Sequence, residues 1–135
     1  MNYTKGIIVV LLVTISGCAI FQRLNMQDIK ATEYLYKSYK IDKSIKQVDK
    51  ILYDYSTRCR PLPNLEVDPA TQKTAFMAWK LYVTDNPTII GLVEFVEKAD
   101  GTTTAKAYWY YKSDGKLSDK VVAIIKDSSD CQDLY

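Results

Sequence analysis

Thr88-Ile89-Ile90-Gly91-Leu92-Val93-Glu94-Phe95-Val96-Glu97, followed by Lys98-Ala99-Asp100-Gly101 and then by Thr102-Thr103-Thr104-Ala105-Lys106-Ala107-Tyr108-Trp109-Tyr110-Tyr111, decides the fold of this chain. Side chains in a strand alternate between two faces. In the first run Ile90, Leu92 and Val96 share one face, and Ile89, Val93 and Phe95 share the other. In the second, Ala105, Ala107, Trp109 and Tyr111 oppose Lys106, Tyr108 and Tyr110. Between the runs, Asp100-Gly101 is a strong hairpin signal, because glycine accepts the positive φ that a tight turn requires. The stretch reads as an antiparallel pair, apolar on both faces of its first strand.

Upstream, Ala75, Met77, Trp79, Leu81 and Val83 alternate with Phe76, Lys80 and Tyr82, and Asp85-Asn86-Pro87 turns the chain. This adds a third strand. Ser44-Ile45-Lys46-Gln47 matches a capping box, in which the serine hydroxyl and the glutamine amide satisfy free amides at a helix start. Ile45, Val48, Leu52 and Tyr55 then recur at three- and four-residue steps, broadened by Ile51, predicting an amphipathic helix that ends near Cys59. Pro61 and Pro63 stop it, and an irregular stretch is expected to about Thr71. The aromatic-rich segment Tyr34 to Ile41 suits a strand, although Leu35 and Tyr39 would also share a helix face; a strand is expected. For Ser118 to Ile125, Ser118 suits a helix cap whereas four β-branched residues suit a strand; a short helix is expected.

The beginning of the chain has a different character. Lys5 precedes an apolar run from Ile7 to Val13, extended by Thr14 and Ile15, and then come the small residues Ser16 and Gly17 before Cys18. This is the layout of an export signal. The apolar run is roughly half of the ~20 residues that a membrane-spanning helix needs. Ile15-Ser16-Gly17-Cys18 resembles the lipobox of bacterial lipoproteins. The resemblance implies diacylglycerol on the Cys18 sulfur, cleavage before Cys18, and frequent acylation of the new amino group. Several acyl chains, at about 0.8 kcal/mol per buried methylene, hold a protein on a bilayer, whereas one chain does so only marginally. Ala19 stands where an aspartate signals inner-membrane retention in Gram-negative members of the class, so the resemblance implies the outer membrane, facing the periplasm.

The two other cysteines, Cys59 and Cys131, form an even pair in a chain read as exported to an oxidising compartment, and a Cys59–Cys131 disulfide is expected. The domain organisation is then a signal peptide at 1–17, a lipidated N-terminus and tether at 18–31, and one periplasmic domain at 32–135. That domain is expected to be α+β, an antiparallel β-meander packed against one amphipathic helix in the approximate order β-α-β-β-β-α. The order is similar to that of the helix-grip domains of START-like proteins and of small envelope lipoproteins that pair a helix-end cysteine with a C-terminal one. Fold alone assigns no function.

Composition bears on chemistry mainly by what it lacks. The chain contains no histidine, the usual general base and the commonest metal ligand. Lysine and arginine total 18 against 16 aspartate and glutamate, a near balance that argues against nucleic acid, whose phosphates call for a concentrated basic surface. Asp127, Asp130 and Asp133 lack the spacing and turn glycine of a calcium loop. Glu94 and Glu97 are a glycosidase pair only if one cleft holds both. No phosphate-cradling glycine loop occurs, and neither cofactor nor metal is expected.

What stands out is aromatic: Tyr108-Trp109-Tyr110-Tyr111, with Trp79 and Tyr82 on a neighbouring strand. Alternation directs Trp109 and Tyr111 to the core and leaves Tyr108 and Tyr110, near Lys106, as a candidate interaction surface. The leading expectation is a non-enzymatic outer-membrane lipoprotein that binds an envelope protein as an accessory or assembly factor. The alternative is a carrier or sensor holding a small apolar ligand in a cavity lined by Met77, Trp79, Leu92 and Trp109.

Overall fold

The computed structural model describes residues 24–82 and 87–134. The lipobox 15–18, the first part of the tether, Val83 and the Asp85-Asn86 part of the expected turn lie outside the described residues. In chain order the elements are α1 (Met26–Ile29), β1 (Leu35–Ile41), α2 (Ile45–Arg58), β2 (Glu66–Val67), β3 (Thr74–Leu81), β4 (Thr88–Glu97), β5 (Thr103–Trp109) and α3 (Lys116–Lys126), with short 3-10 turns at Thr32–Tyr34 and Lys112–Gly115. The fold is α+β. Five strands form one antiparallel sheet in the order β1-β5-β4-β3-β2.

Residues α2 inherits from the sequence pattern behave as their spacing demands. Ser44 accepts from the Gln47 amide at 3.3 Å while the Gln47 side chain accepts from the Ser44 amide at 2.9 Å, so the capping box is complete. Glu97, at the end of β4, adds a carboxylate that accepts from the Ile45 amide at 3.0 Å, where negative charge suits the helix N-terminus. The apolar stripe Ile45, Val48, Leu52 and Tyr55 is buried against the sheet. α3 covers the same face with Val121, Val122, Ile124 and Ile125, so two helices pack there and not one. The helical expectation for this segment holds because the β-branched residues at 121, 122, 124 and 125 make a helix stripe that can be buried. α3 begins at Lys116, and Ser118 lies inside its first turn instead of capping it.

Two irregularities decide which side chains meet. Pairing shifts between Trp79↔Gly91 and Lys80↔Ile89, so that β4 carries one extra residue at Ile90. Such a bulge reverses the alternation beyond it. Ile89 therefore joins Leu92 on the outer face, contrary to the simple alternation read from the sequence. A second shift, between Leu35 and Lys37 in β1, lets Tyr36 pack toward the helix side. The expected irregular stretch after α2 also contains β2, which pairs Glu66 and Val67 with Phe76 and Ala75.

Residues 24–31, read as tether, are packed. Leu24 donates its amide to Thr88 Oγ1 at 2.9 Å and accepts from the Ile89 amide at 3.0 Å. Asn25 caps α1, and Ile29 is fully buried with Ile89, Leu92 and Tyr108 on the outer face. The packed body thus includes the chain from Leu24, because an apolar sheet face needs a cover.

Gly91 sits beneath the Trp109 ring, with no room for a methyl group. Gly91→Ala should lower stability by about 1–3 kcal/mol, the usual cost of overpacking a filled core. Thermal or urea unfolding followed by tryptophan emission checks this, and a wild-type midpoint would contradict it.

Candidate functional site

Cys59 terminates α2 and Cys131 lies in the segment that follows α3, and the two are joined, with Cα atoms 5.4 Å apart. The bridge is one of several ties. The buried Tyr55 hydroxyl accepts from the Gln132 amide at 2.9 Å and donates to the Gln132 carbonyl at 3.2 Å. Arg58 donates to the carbonyls of Ser128 and Ser129, and Lys120 to that of Asp133 at 2.6 Å. Leu134 inserts into the core between the helices and the sheet. Together these hold the C-terminal segment across the ends of both helices.

The aromatic surface is rearranged relative to expectation. Tyr108 is only 8% exposed, because Ile29 and the turn at Tyr34 cover it. It does not belong to a free surface. Tyr110 is 37% exposed, stacked on Tyr34 at 5.8 Å between centroids and edge-on to Tyr111 at 4.8 Å. Lys106 is exposed as expected, on the part of the outer face that α1 leaves uncovered, with Ser38 and Lys40 of β1 also exposed there. Tyr111, expected in the core, is exposed, since β5 ends at Trp109 and the alternation ends with it. Trp109 is buried and meets Trp79 at 4.8 Å.

The residues proposed to line a ligand chamber are divided by the sheet. Met77, Trp79 and Trp109 pack on the helix side, and Leu92 packs on the outer side. The space bounded by Leu62, Trp79, Leu117, Val121 and Leu134 is about 10 Å³, at most one water. Glu94 and Glu97 are likewise divided. Glu94 pairs with Lys30 on the outer face, whereas Glu97 pairs with Lys73 at 2.8 Å and caps α2 on the other. Lys73 and the Ile45 amide hold the Glu97 carboxyl below the usual carboxylate range. Among the described residues, no group of three or more acidic or cysteine side chains is placed to hold a metal, and no helix is long and apolar enough to cross a membrane.

A polar cluster not anticipated from the sequence joins β1, β5 and α3. Asp119 accepts from the hydroxyls of Tyr39 at 2.7 Å and Tyr36 at 2.8 Å and from Lys37 at 3.2 Å. Ser118 accepts from Trp109 Nε1 at 3.1 Å and donates to the Gly115 carbonyl at 2.6 Å, and its hydroxyl oxygen lies 3.3 Å from that of Tyr39. Partial burial pushes the Asp119 carboxyl up, but the two tyrosine hydroxyls and Lys37 outweigh it and hold it below the usual range. Burial, with the adjacent Asp119 charge, drives the Tyr39 phenol well above its ordinary value. Among the described residues every buried side-chain donor and acceptor is satisfied, and the cluster ties β1 and β5 to α3. Its sequence signal is weak, because Tyr36 reaches Asp119 only through the β1 bulge.

No protein-family model matches this chain, and no curated protein and no solved structure matches it.

The depressed Asp119 carboxyl stabilises the fold fully above the unfolded-state value of about 3.9, and the contribution is lost as pH falls through the lower folded value. The raised Tyr39 phenol acts in the opposite sense: its contribution is complete below about pH 10 and is lost as pH rises from there toward the folded value. Asp119→Asn should flatten the acid limb and Tyr39→Phe the alkaline limb of a stability-against-pH curve measured by urea unfolding. Cys59→Ser with Cys131→Ser should cost about 4 kcal/mol, the loop-entropy value for a closed segment of this length. Urea midpoints with and without reductant check it, and the double variant should not respond to reductant.

Proposed function

We propose that this protein is a lipid-anchored envelope lipoprotein whose domain binds another envelope protein as a non-enzymatic accessory or assembly factor of the outer membrane. The observation that carries the reading is the ordered leader, Lys5, the apolar run to Ile15, then Ser16-Gly17-Cys18. Two further facts support it. The Cys59–Cys131 bridge suits an oxidising, exported location. The absence of histidine removes the usual general base and favours binding over catalysis.

The surface best suited to a protein partner is the uncovered part of the outer face, where Lys106 stands beside Ser38 and across from Glu94 in the strand register. Its neighbour Val96 is 42% exposed, an apolar side chain framed by polar ones. Such a mixed patch suits a partner that is met and released.

Cys18→Ala should abolish incorporation of labelled palmitate and leave the leader before residue 18 uncleaved, seen as a heavier precursor by intact mass, with the fold unchanged by circular dichroism. Palmitate incorporation that survives the substitution would refute the anchor. In cross-linked membranes, Lys106→Glu combined with Val96→Asp should remove the co-purifying envelope protein without altering membrane attachment; an unchanged partner yield would clear this face of the role.

A further inference from the structure

The point where the chain enters the packed body places one end of the domain next to its anchor. Leu24 is held at the start of β4 by Thr88 and Ile89. Antiparallel pairing brings to that same end the end of β3 (Leu81↔Thr88), the end of β5 (Gly91↔Trp109, with Tyr110 bonded to Ile90) and the start of β1 (Leu35↔Tyr108). Six residue steps separate Cys18 from Leu24, a reach of about 20 Å at full extension. The ten residues of β4 span about 33 Å. The far end, with the Asp100-Gly101 hairpin, lies about one strand length from the end carrying Leu24, beyond the reach of that six-residue tether.

Among the described residues, this near end carries most of the large exposed apolar and aromatic side chains. Tyr82 is 68% exposed, Tyr111 50% and Leu81 41%, and the Tyr34–Tyr110 stack continues the row. Lys80, Lys112 and Lys116, all exposed, adjoin these residues in the chain, with Glu33 as an acidic neighbour, so positive charge is in excess there. Tyrosine has an apolar ring and a hydrogen-bonding hydroxyl, and it favours the boundary between acyl chains and water. Exposed leucine beside it adds apolar area that water disfavours, and lysines with long stems reach phosphate while their methylenes stay near the ring layer.

We propose that the rim formed by Leu81, Tyr82, Tyr110 and Tyr111 rests in the headgroup layer of the bilayer that holds the anchor, so that the lipidated domain stands on this end. The inference rests on the anchor reading. A short tether raises the local concentration of bilayer around the rim, so weak contacts suffice to orient the domain. The Asp100-Gly101 end then points away from the membrane, and the Lys106 surface faces sideways.

Full-length lipidated protein, purified in detergent, is reconstituted into vesicles of phosphatidylethanolamine with a minority of phosphatidylglycerol, made with or without brominated acyl chains. Tyr111→Trp and Tyr82→Trp each add an emitter at the rim, and Tyr53→Trp adds one on the outward side of α2, where the native side chain is 69% exposed. After subtraction of the parent signal, bromination should remove about half or more of the added emission at the two rim positions and leave that of Tyr53→Trp unchanged. Equal quenching at all three positions, or at none, overturns the inference. Intact mass of the Cys18 peptide separates the two readings: an acyl adduct without rim quenching leaves the anchor standing and removes the orientation, whereas no adduct removes both. Lack of lipid quenching, with Tyr111 cross-linking to a protein in native membranes or to a second copy, would assign the rim to that occupant instead and likewise overturn the proposal.

Discussion

Trp109 is the constraint on which the rest of the structure depends. Its ring lies over Gly91 of the neighbouring strand, touches Trp79 across the sheet, and donates its indole N–H to Ser118 in α3. A buried indole needs both a large apolar site and one acceptor, and these demands together fix how α3 sits on the sheet. Ser118 in turn places Asp119 against Tyr36 and Tyr39, so the packing of one ring extends into a polar cluster that clasps the edge strand β1. The bulge at Ile90 belongs to the same arrangement. It bends β4 next to Gly91 and sends Ile89 to the opposite face.

Two covers bury apolar side chains on both sides of the sheet. The helix side is closed by α2 and α3, and their C-terminal ends are held by the Cys59–Cys131 bridge, the Tyr55 hydroxyl and the inserted Leu134. The outer side is closed only in part, by the segment from Leu24 to Tyr34. That partial cover bears on the proposed anchor: the chain is packed from Leu24, six residues after Cys18, so an anchor at Cys18 would leave only a short tether. What α1 leaves uncovered becomes the mixed surface around Lys106.

Much of this fold was legible in the sequence because local rules sufficed. The capping box and the stripe of α2, the Asp100-Gly101 hairpin and the alternation along β3, β4 and β5 each depend on neighbours within a few residues. The cysteine pairing followed from parity and from the export expected of the leader. The candidate surface was only half legible. Lys106 and Tyr110 are exposed as their positions suggest, but Tyr108 is covered by a segment some eighty residues earlier, and nothing near it in the chain reports that contact.

By itself the sequence determined the α+β class, the principal helix, the meander of β3, β4 and β5, and the lipobox-like leader, since each is written in periodicity, capping chemistry or residue order. Only the tertiary structure decided the position of the two bulges, the docking of residues 24–31, the second helix on the same face and the Asp119 cluster. The physical reason is common to all four. Each is a compromise between distant elements competing to bury apolar area while satisfying every polar group, and such a compromise exists only once the pieces are in contact.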